Sequence, residues 1–155
     1  VSWPDGIVLG IIGRRADASA LAWASGLAHR WSTNLHVIAE YYPPVGMFPH
    51  ITTDRERTET RRAARQRLEC QLDRAAAAVG TDRRDTRLSL VPSPRLLPAL
   101  TSGCLEADLL LFSLAPTSLP LLARRREQRA RRIAATVRVP ASLGPGRTLG
   151  ATVPT

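Results

Sequence analysis

Two rhythms of apolar and polar residues alternate along the chain: short continuous apolar runs, and longer stretches with an apolar residue every three or four positions. Residues 6–12 (GIVLGII) form the first run, bounded by Gly13-Arg14. An apolar run of this length is the pattern of a strand buried on both faces, as in a parallel sheet. Asp17 or Ser19 can cap the helix that follows. Over residues 18–31, Ala20, Leu21, Ala24, Leu27, Ala28 and Trp31 recur at helical spacing and make one buried stripe. The small Ala24 and Ala28 let that helix lie close to a sheet. Ser32-Thr33-Asn34 ends it, and residues 35–40 (LHVIAE) read as the second strand.

Pro43, Pro44 and Pro49 crowd residues 41–53, too many prolines for regular structure. Tyr41, Tyr42, Met47 and Phe48 mark the stretch as a loop packed onto the body. Helical spacing resumes over residues 54–79, with Ala64, Leu68, Leu72, Ala75 and Val79 on the core face and Arg55, Arg57, Arg61, Arg62 and Arg65 on the solvated one. Pairs such as Arg65 with Glu69 add about 0.2–0.5 kcal/mol each, and Gly80 closes the helix. Residues 87–91 form a third strand, 94–105 a third helix, and 107–113 (ADLLLFS) the most apolar strand, suited to the sheet centre. A fourth helix spans 120–136. Residues 137–142 form a last, weak strand that Pro140 confines to an edge. This alternation predicts one α/β domain over residues 1–143, a parallel sheet covered by helices on both faces. Gly, Pro and Thr dominate residues 144–155, which predicts a disordered tail.

At 155 residues the chain is long enough to bury a layered core. Its apolar runs fall short of the roughly 20 residues that span a bilayer, and its first residues lack the pattern of a signal peptide. A cytoplasmic protein without membrane contact is expected. Cys70 and Cys104 lie in helical stretches and read as small core residues. The three histidines are scattered, so no metal site is expected. Trp23 and Trp31 share one helix and pack in or near the core, and Trp3 covers an end of the sheet. Asp5 and Asp17 suit solvated or capping roles. No nucleophile with a base and no pair of carboxylates converges in the pattern, so an enzyme is not expected. The net charge is +9 and all 22 basic residues are arginine. A GC-rich coding sequence explains the choice of arginine over lysine, but the charge itself draws anions, whether nucleotides, nucleic acid or acidic protein surfaces.

Two segments carry a resemblance. Residues 7–42 (IVLGIIGRRADASALAWASGLAHRWSTNLHVIAEYY) and 98–113 (PALTSGCLEADLLLFS) are similar, in order and spacing, to segments of the universal stress protein family. The first resembles that family's opening strand, its Ala-Leu-x-Trp-Ala helix around Trp23 and its second strand. The second resembles its third helix and Ala-Asp-Leu fourth strand. The resemblance implies a three-layer α/β/α domain of the adenine-nucleotide α-hydrolase-like kind, with a five-stranded parallel sheet in the order 3-2-1-4-5. It also implies a homodimer joined through the last strand. Family members often bind ATP, using an aspartate at the end of the first strand and a Gly-x2-Gly-x9-Gly-Ser/Thr signature after the fourth. Such glycines let backbone N–H groups approach phosphates, in the crevice where strand order reverses.

The expected ligand-binding positions here are Ile11, Ile12, Gly13, Arg14, Ile38, Ser113, Leu114 and Arg126. They depart from that signature: Ile12 stands at the aspartate position, and no glycine follows Ser113 and Leu114 before Ser118. Each charge-assisted phosphate contact is worth about 1.5–3 kcal/mol. Losing two or three turns micromolar affinity into roughly millimolar, so ATP or another adenine nucleotide is not expected to bind in the family's manner and no cofactor is assigned. The final Gly-Ser position falls near Arg126-Glu127, inside the run 124–132 (RRREQRARR). Ala130, Ile133, Ala134 and Val137 share that helix's core face, Arg124, Arg125, Arg131 and Arg132 the solvated one, and Arg126 leans toward the apolar side. The leading expectation is a non-catalytic stress-adaptation protein acting by dimerisation and by binding a protein partner or an anionic small ligand. A nucleotide sensor in which Arg126 and Arg14 replace the glycine cradle is the alternative. An electrostatic nucleic-acid-associated protein is the second, but the three Trp, two Tyr and two Phe do not interleave with the basic stretches as stacking platforms would.

Overall fold

The computed structural model describes residues 6–42, 53–83, 85–107, 109–137, 139–144 and 148–149. Among these residues six strands and four helices follow in the order β1 (Gly6–Ile12), α1 (Ala18–Arg30), β2 (Asn34–Tyr41), α2 (Asp54–Ala78), β3 (Thr86–Pro92), α3 (Leu96–Gly103), β4 (Leu109–Leu114), α4 (Pro120–Thr136), β5 (Ala141–Ser142) and β6 (Thr148–Leu149). β1 to β5 run parallel in the spatial order 3-2-1-4-5, as the resemblance implies. Trp3, the loop with Met47 and Phe48, and most of the expected tail lie outside the described residues.

Strand periodicity divides the core in two. Ile7, Leu9 and Ile11 of β1, Leu35, Val37 and Ala39 of β2, and Leu109 and Leu111 of β4 face a layer built from α1 and α2. Val8 and Ile12, Ile38, and Leu110 and Phe112 face the layer of α3 and α4, where Leu96, Leu100, Ala130 and Ile133 meet them. Burying each such Leu, Ile or Phe contributes about 1.5–3 kcal/mol. Trp23 and Trp31 pack half-buried against the first layer, as their spacing predicts.

The ends of the helices follow from their sequences. Asp17 caps α1 by accepting the Ser19 N–H. Thr53 and Glu56 form a reciprocal capping box at the start of α2. Gly80, at φ +75°, reverses the chain after α2. Pro120 occupies the first turn of α4, where its missing N–H costs nothing.

Several expectations change. The third helix is divided into a 3-10 turn, Ser93–Arg95, and α3, and it stops at Gly103, leaving Leu105 81% exposed. The last parallel strand shrinks to two residues. Val137 still terminates α4, and Pro140 has no N–H to give the ladder, offering only its carbonyl to the Leu110 N–H at 2.9 Å. Within the expected tail, Thr148–Leu149 pairs antiparallel with Ala141–Ser142 as a sixth strand on the outer edge. Cys104 is buried, and burial pushes its thiol up to about 11. Cys70 is exposed, contrary to expectation. It stands two residues from both Leu68 and Leu72, about 200° around the helix from each, and so turns away from the core.

Candidate functional site

Strand order reverses between β1 and β4, and the crevice at their carboxyl ends is where an open parallel sheet leaves room for a ligand. A cleft of about 510 Å³ lies there, lined by Ile12, Gly13, Arg14, Arg15, Glu40, Tyr42, Ala115, Pro116, Leu122, Arg125, Arg126 and Arg129. Of the expected site residues, Ile12, Gly13, Arg14 and Arg126 line it. Ile11 and Ser113 point to the α1–α2 side of the sheet, Ile38 is buried beneath α3 and close to Gly103, and Leu114 packs against the α3–α4 core. Ser113 acts as a structural tie. Its fully buried hydroxyl accepts the Asp17 N–H at 2.8 Å and joins the end of β4 to the start of α1.

Gly13 is required where it stands. Its φ is +100°, and a Cβ there would lie 2.9 Å from the Ala115 Cβ. No L-residue adopts that conformation cheaply. Arg126, half-buried, crosses over this turn and donates to the Ala115 carbonyl. It therefore leans inward, as its helical position predicts, while Arg124, Arg125, Arg131 and Arg132 are exposed.

At the floor of the cleft stands a residue that the sequence pattern did not single out. Glu40, at the end of β2 and in phase with His36 and Ile38, has a side chain 0% exposed. Its Oε1 accepts the Gly13 N–H at 2.9 Å, the Tyr42 hydroxyl and Arg129 Nη1 at 2.8 Å. Its Oε2 accepts the Ser93 hydroxyl at 3.0 Å and Arg129 Nη2 at 2.8 Å. The Arg129–Glu40 pair is thus a two-pronged fork, and Arg129 also donates to the Ser93 carbonyl. Burial pushes the Glu40 carboxyl up. The bonds from Arg129, Tyr42 and the Gly13 N–H, with the arginine's charge, together outweigh it and hold the carboxyl below the usual range. The Tyr42 hydroxyl is pushed up by burial and by Glu40. Arg14 lies over the Tyr42 ring, 5.0 Å from its centre. Among the described residues Arg14, Arg15, Arg125 and Arg126 form no ion pair with an acidic side chain. Among the described residues, the cleft therefore presents four cations without an acidic partner around one neutralised carboxylate.

Another cleft, of about 460 Å³, opens at the opposite end of the strands, lined in part by His36, Asp85, Arg87 and Glu106. Behind it, His36 Nε2 lies 2.8 Å from the Ser89 hydroxyl, a spacing that invites comparison with a nucleophile and its base. Arg87, always protonated, stands 3.4 Å from Nδ1, a contact that suits the tautomer with the proton on Nε2. In that tautomer Nε2 donates to Ser89 and does not take its proton. Burial, and then Arg87, lower the pKa of the imidazole. Among the described residues no group of three His, Cys, Asp or Glu side chains is placed to hold a metal ion. No described helix is long and apolar enough to cross a membrane.

No family model matches the sequence, and no curated protein matches it. Solved structures do. The crystal structure of a universal stress protein in complex with cAMP superposes with a TM-score of 0.56 at 19% sequence identity, covering 92% of this chain and 98% of that one. A universal stress protein from Archaeoglobus fulgidus gives a TM-score of 0.44 at 14% identity, covering 86% of this chain and 94% of that one. A protein of the same family from Burkholderia pseudomallei gives 0.42 at 21% identity, covering 88% and 92%. The first of these likenesses, together with the strand order 3-2-1-4-5, shows that the chain has the universal stress protein fold.

Proposed function

We propose that this chain is a divergent, non-catalytic universal stress protein that acts in stress adaptation by binding a small anionic ligand in the carboxyl-end crevice. The observation that carries the reading is the set of four arginines, Arg14, Arg15, Arg125 and Arg126, unpaired with any described acid at the point where strand order reverses. Guanidinium groups recognise phosphate by paired, charge-assisted hydrogen bonds, and they need no glycine cradle to do so. The neighbouring structure of this fold holds cAMP, a phosphate-bearing molecule of the class this reading expects. The full internal pairing of Glu40 supports a binding role over a catalytic one.

ATP, AMP and cAMP titrated by calorimetry against the wild type, Arg125→Ala and Arg126→Ala test the reading. A nucleotide should bind the wild type and lose roughly tenfold in affinity on loss of either arginine, the effect of about 1.4 kcal/mol. Binding that both variants leave unchanged would overturn it. Dimerisation belongs to the same reading, with one structural condition. β6 covers the outer edge of β5, so a second copy pairing there must displace Thr148–Leu149.

A further inference from the structure

Glu40 receives five hydrogen bonds from four separate parts of the chain: the turn after β1, the end of β2, the turn before α3, and α4. A backbone N–H at a positive-φ glycine, a two-pronged guanidinium, a serine and a tyrosine hydroxyl are what protein sites offer to bound oxyanions. They converge on the buried Glu40 side chain, beneath a cleft rimmed with arginine. A strand-end carboxylate that needed only neutralising would be satisfied by Arg129 alone.

We propose that these donors form an oxyanion seat that the chain fills itself, the Glu40 carboxylate standing where the carboxylate, phosphate or pyrophosphate group of a ligand would otherwise enter. Arg126 and Arg129, one helical turn apart on α4, divide the work. Arg129 reaches inward and is neutralised in the seat, and Arg126 stays at the rim over Gly13 and Ala115. The Gly13 N–H is already used and is closed to an outside anion. Glu40 thereby keeps the crevice's affinity for oxyanions low and confines ligands to the rim. The inference deepens the anionic-ligand reading and can fail separately from it.

Glu40→Ala vacates the seat and leaves Arg129 without its partner. In chloride the variant should melt well below the wild type. Acetate or phosphate at matched ionic strength should then raise its melting temperature in a saturable way, and by more than it raises that of the wild type. Calorimetry should show pyrophosphate binding Glu40→Ala at least tenfold more tightly than the wild type. A variant that answers acetate and phosphate no more than chloride overturns the seat. If Glu40→Ala does not fold in any of these anions, Glu40→Ser, which also empties the seat but keeps a hydroxyl at its floor, is titrated with pyrophosphate instead. Tighter binding than wild type supports the proposal, and equal or weaker binding overturns it. A wild type that binds nothing beside a Glu40→Ala variant that binds pyrophosphate keeps the seat and sinks the ligand reading. A wild type that binds nucleotide as tightly as the variants do keeps the ligand reading and sinks the seat.

Discussion

Replacing Arg129 with methionine keeps most of the apolar stem and removes the charge that the Glu40 carboxylate leans on. Glu40 stays buried in the variant, holding its bonds from Tyr42, Ser93 and the Gly13 N–H but no cation. Breaking a fully buried pair by removing one partner costs about 3–5 kcal/mol. The Arg129 side chain is 38% exposed, and screening on that side brings the expected cost to about 2–3 kcal/mol. For a domain of this size that lowers the melting temperature by roughly 5–10 °C near neutral pH. The pH dependence carries the sharper test. In the wild type the folded carboxyl titrates below its ordinary value. The unfolded chain therefore takes up the proton first, and the stability Glu40 contributes at neutral pH is lost as the pH falls through the ordinary carboxylate range to the folded value. In the variant the main opponent of burial is gone and the folded pKa rises, so protonation in the same range relieves the penalty. The gap in melting temperature should thus be widest near pH 7 and shrink by at least half at about pH 4.5. Arg14, Arg15, Arg125 and Arg126 line the same cleft and Arg67 a smaller pocket beside Glu40, and all are present in each protein. Thermal melts followed by circular dichroism at the two pH values decide the matter. A gap that is the same at both would mean that Arg129 contributes packing alone. Adding Glu40→Gln to the variant should recover part of the loss, since the uncompensated charge is then gone.

Gly13→Ala should lower stability by about 2–3 kcal/mol, from the positive-φ penalty and the 2.9 Å approach to the Ala115 Cβ; a denaturant midpoint within error of wild type would contradict the backbone argument. A chain ending at Gly144 loses β6 and frees the outer edge of β5. Light scattering should then show more dimer than the full chain forms at the same concentration, and an unchanged mass would remove strand pairing at β5 as a route to assembly.

Much of the fold was legible because a parallel sheet writes itself as unbroken apolar runs. GIVLGII and LLLFS can bury both faces only between two helical layers, and the stripe from Ala20 to Ala28 supplies one of them. The crevice followed from strand order. Its decisive pair did not. Glu40 closes the run LHVIAE and looks like a solvated strand end, yet its phase with His36 and Ile38 was a sign that it shares their inward face. Arg129 lay hidden in a run in which Arg124, Arg125, Arg131 and Arg132 are exposed. What separates it from them is a contact with a residue 89 positions away, which no local pattern encodes. The shortness of β5 was half visible in Pro140. β6 was invisible, since two residues of edge pairing need neither a hydrophobic pattern nor strong propensity.

The loop over residues 13–17 is fastened at both ends, by Glu40 at the Gly13 N–H and by Ser113 at the Asp17 N–H. Arg14 and Arg15 rise from this doubly pinned span. Freezing a free backbone costs about 1–2 kcal/mol per residue, and here folding has already met that cost before any ligand arrives. Two of the rim guanidiniums are thus carried on a frame that binding does not have to organise, and only their side-chain rotamers remain to be fixed.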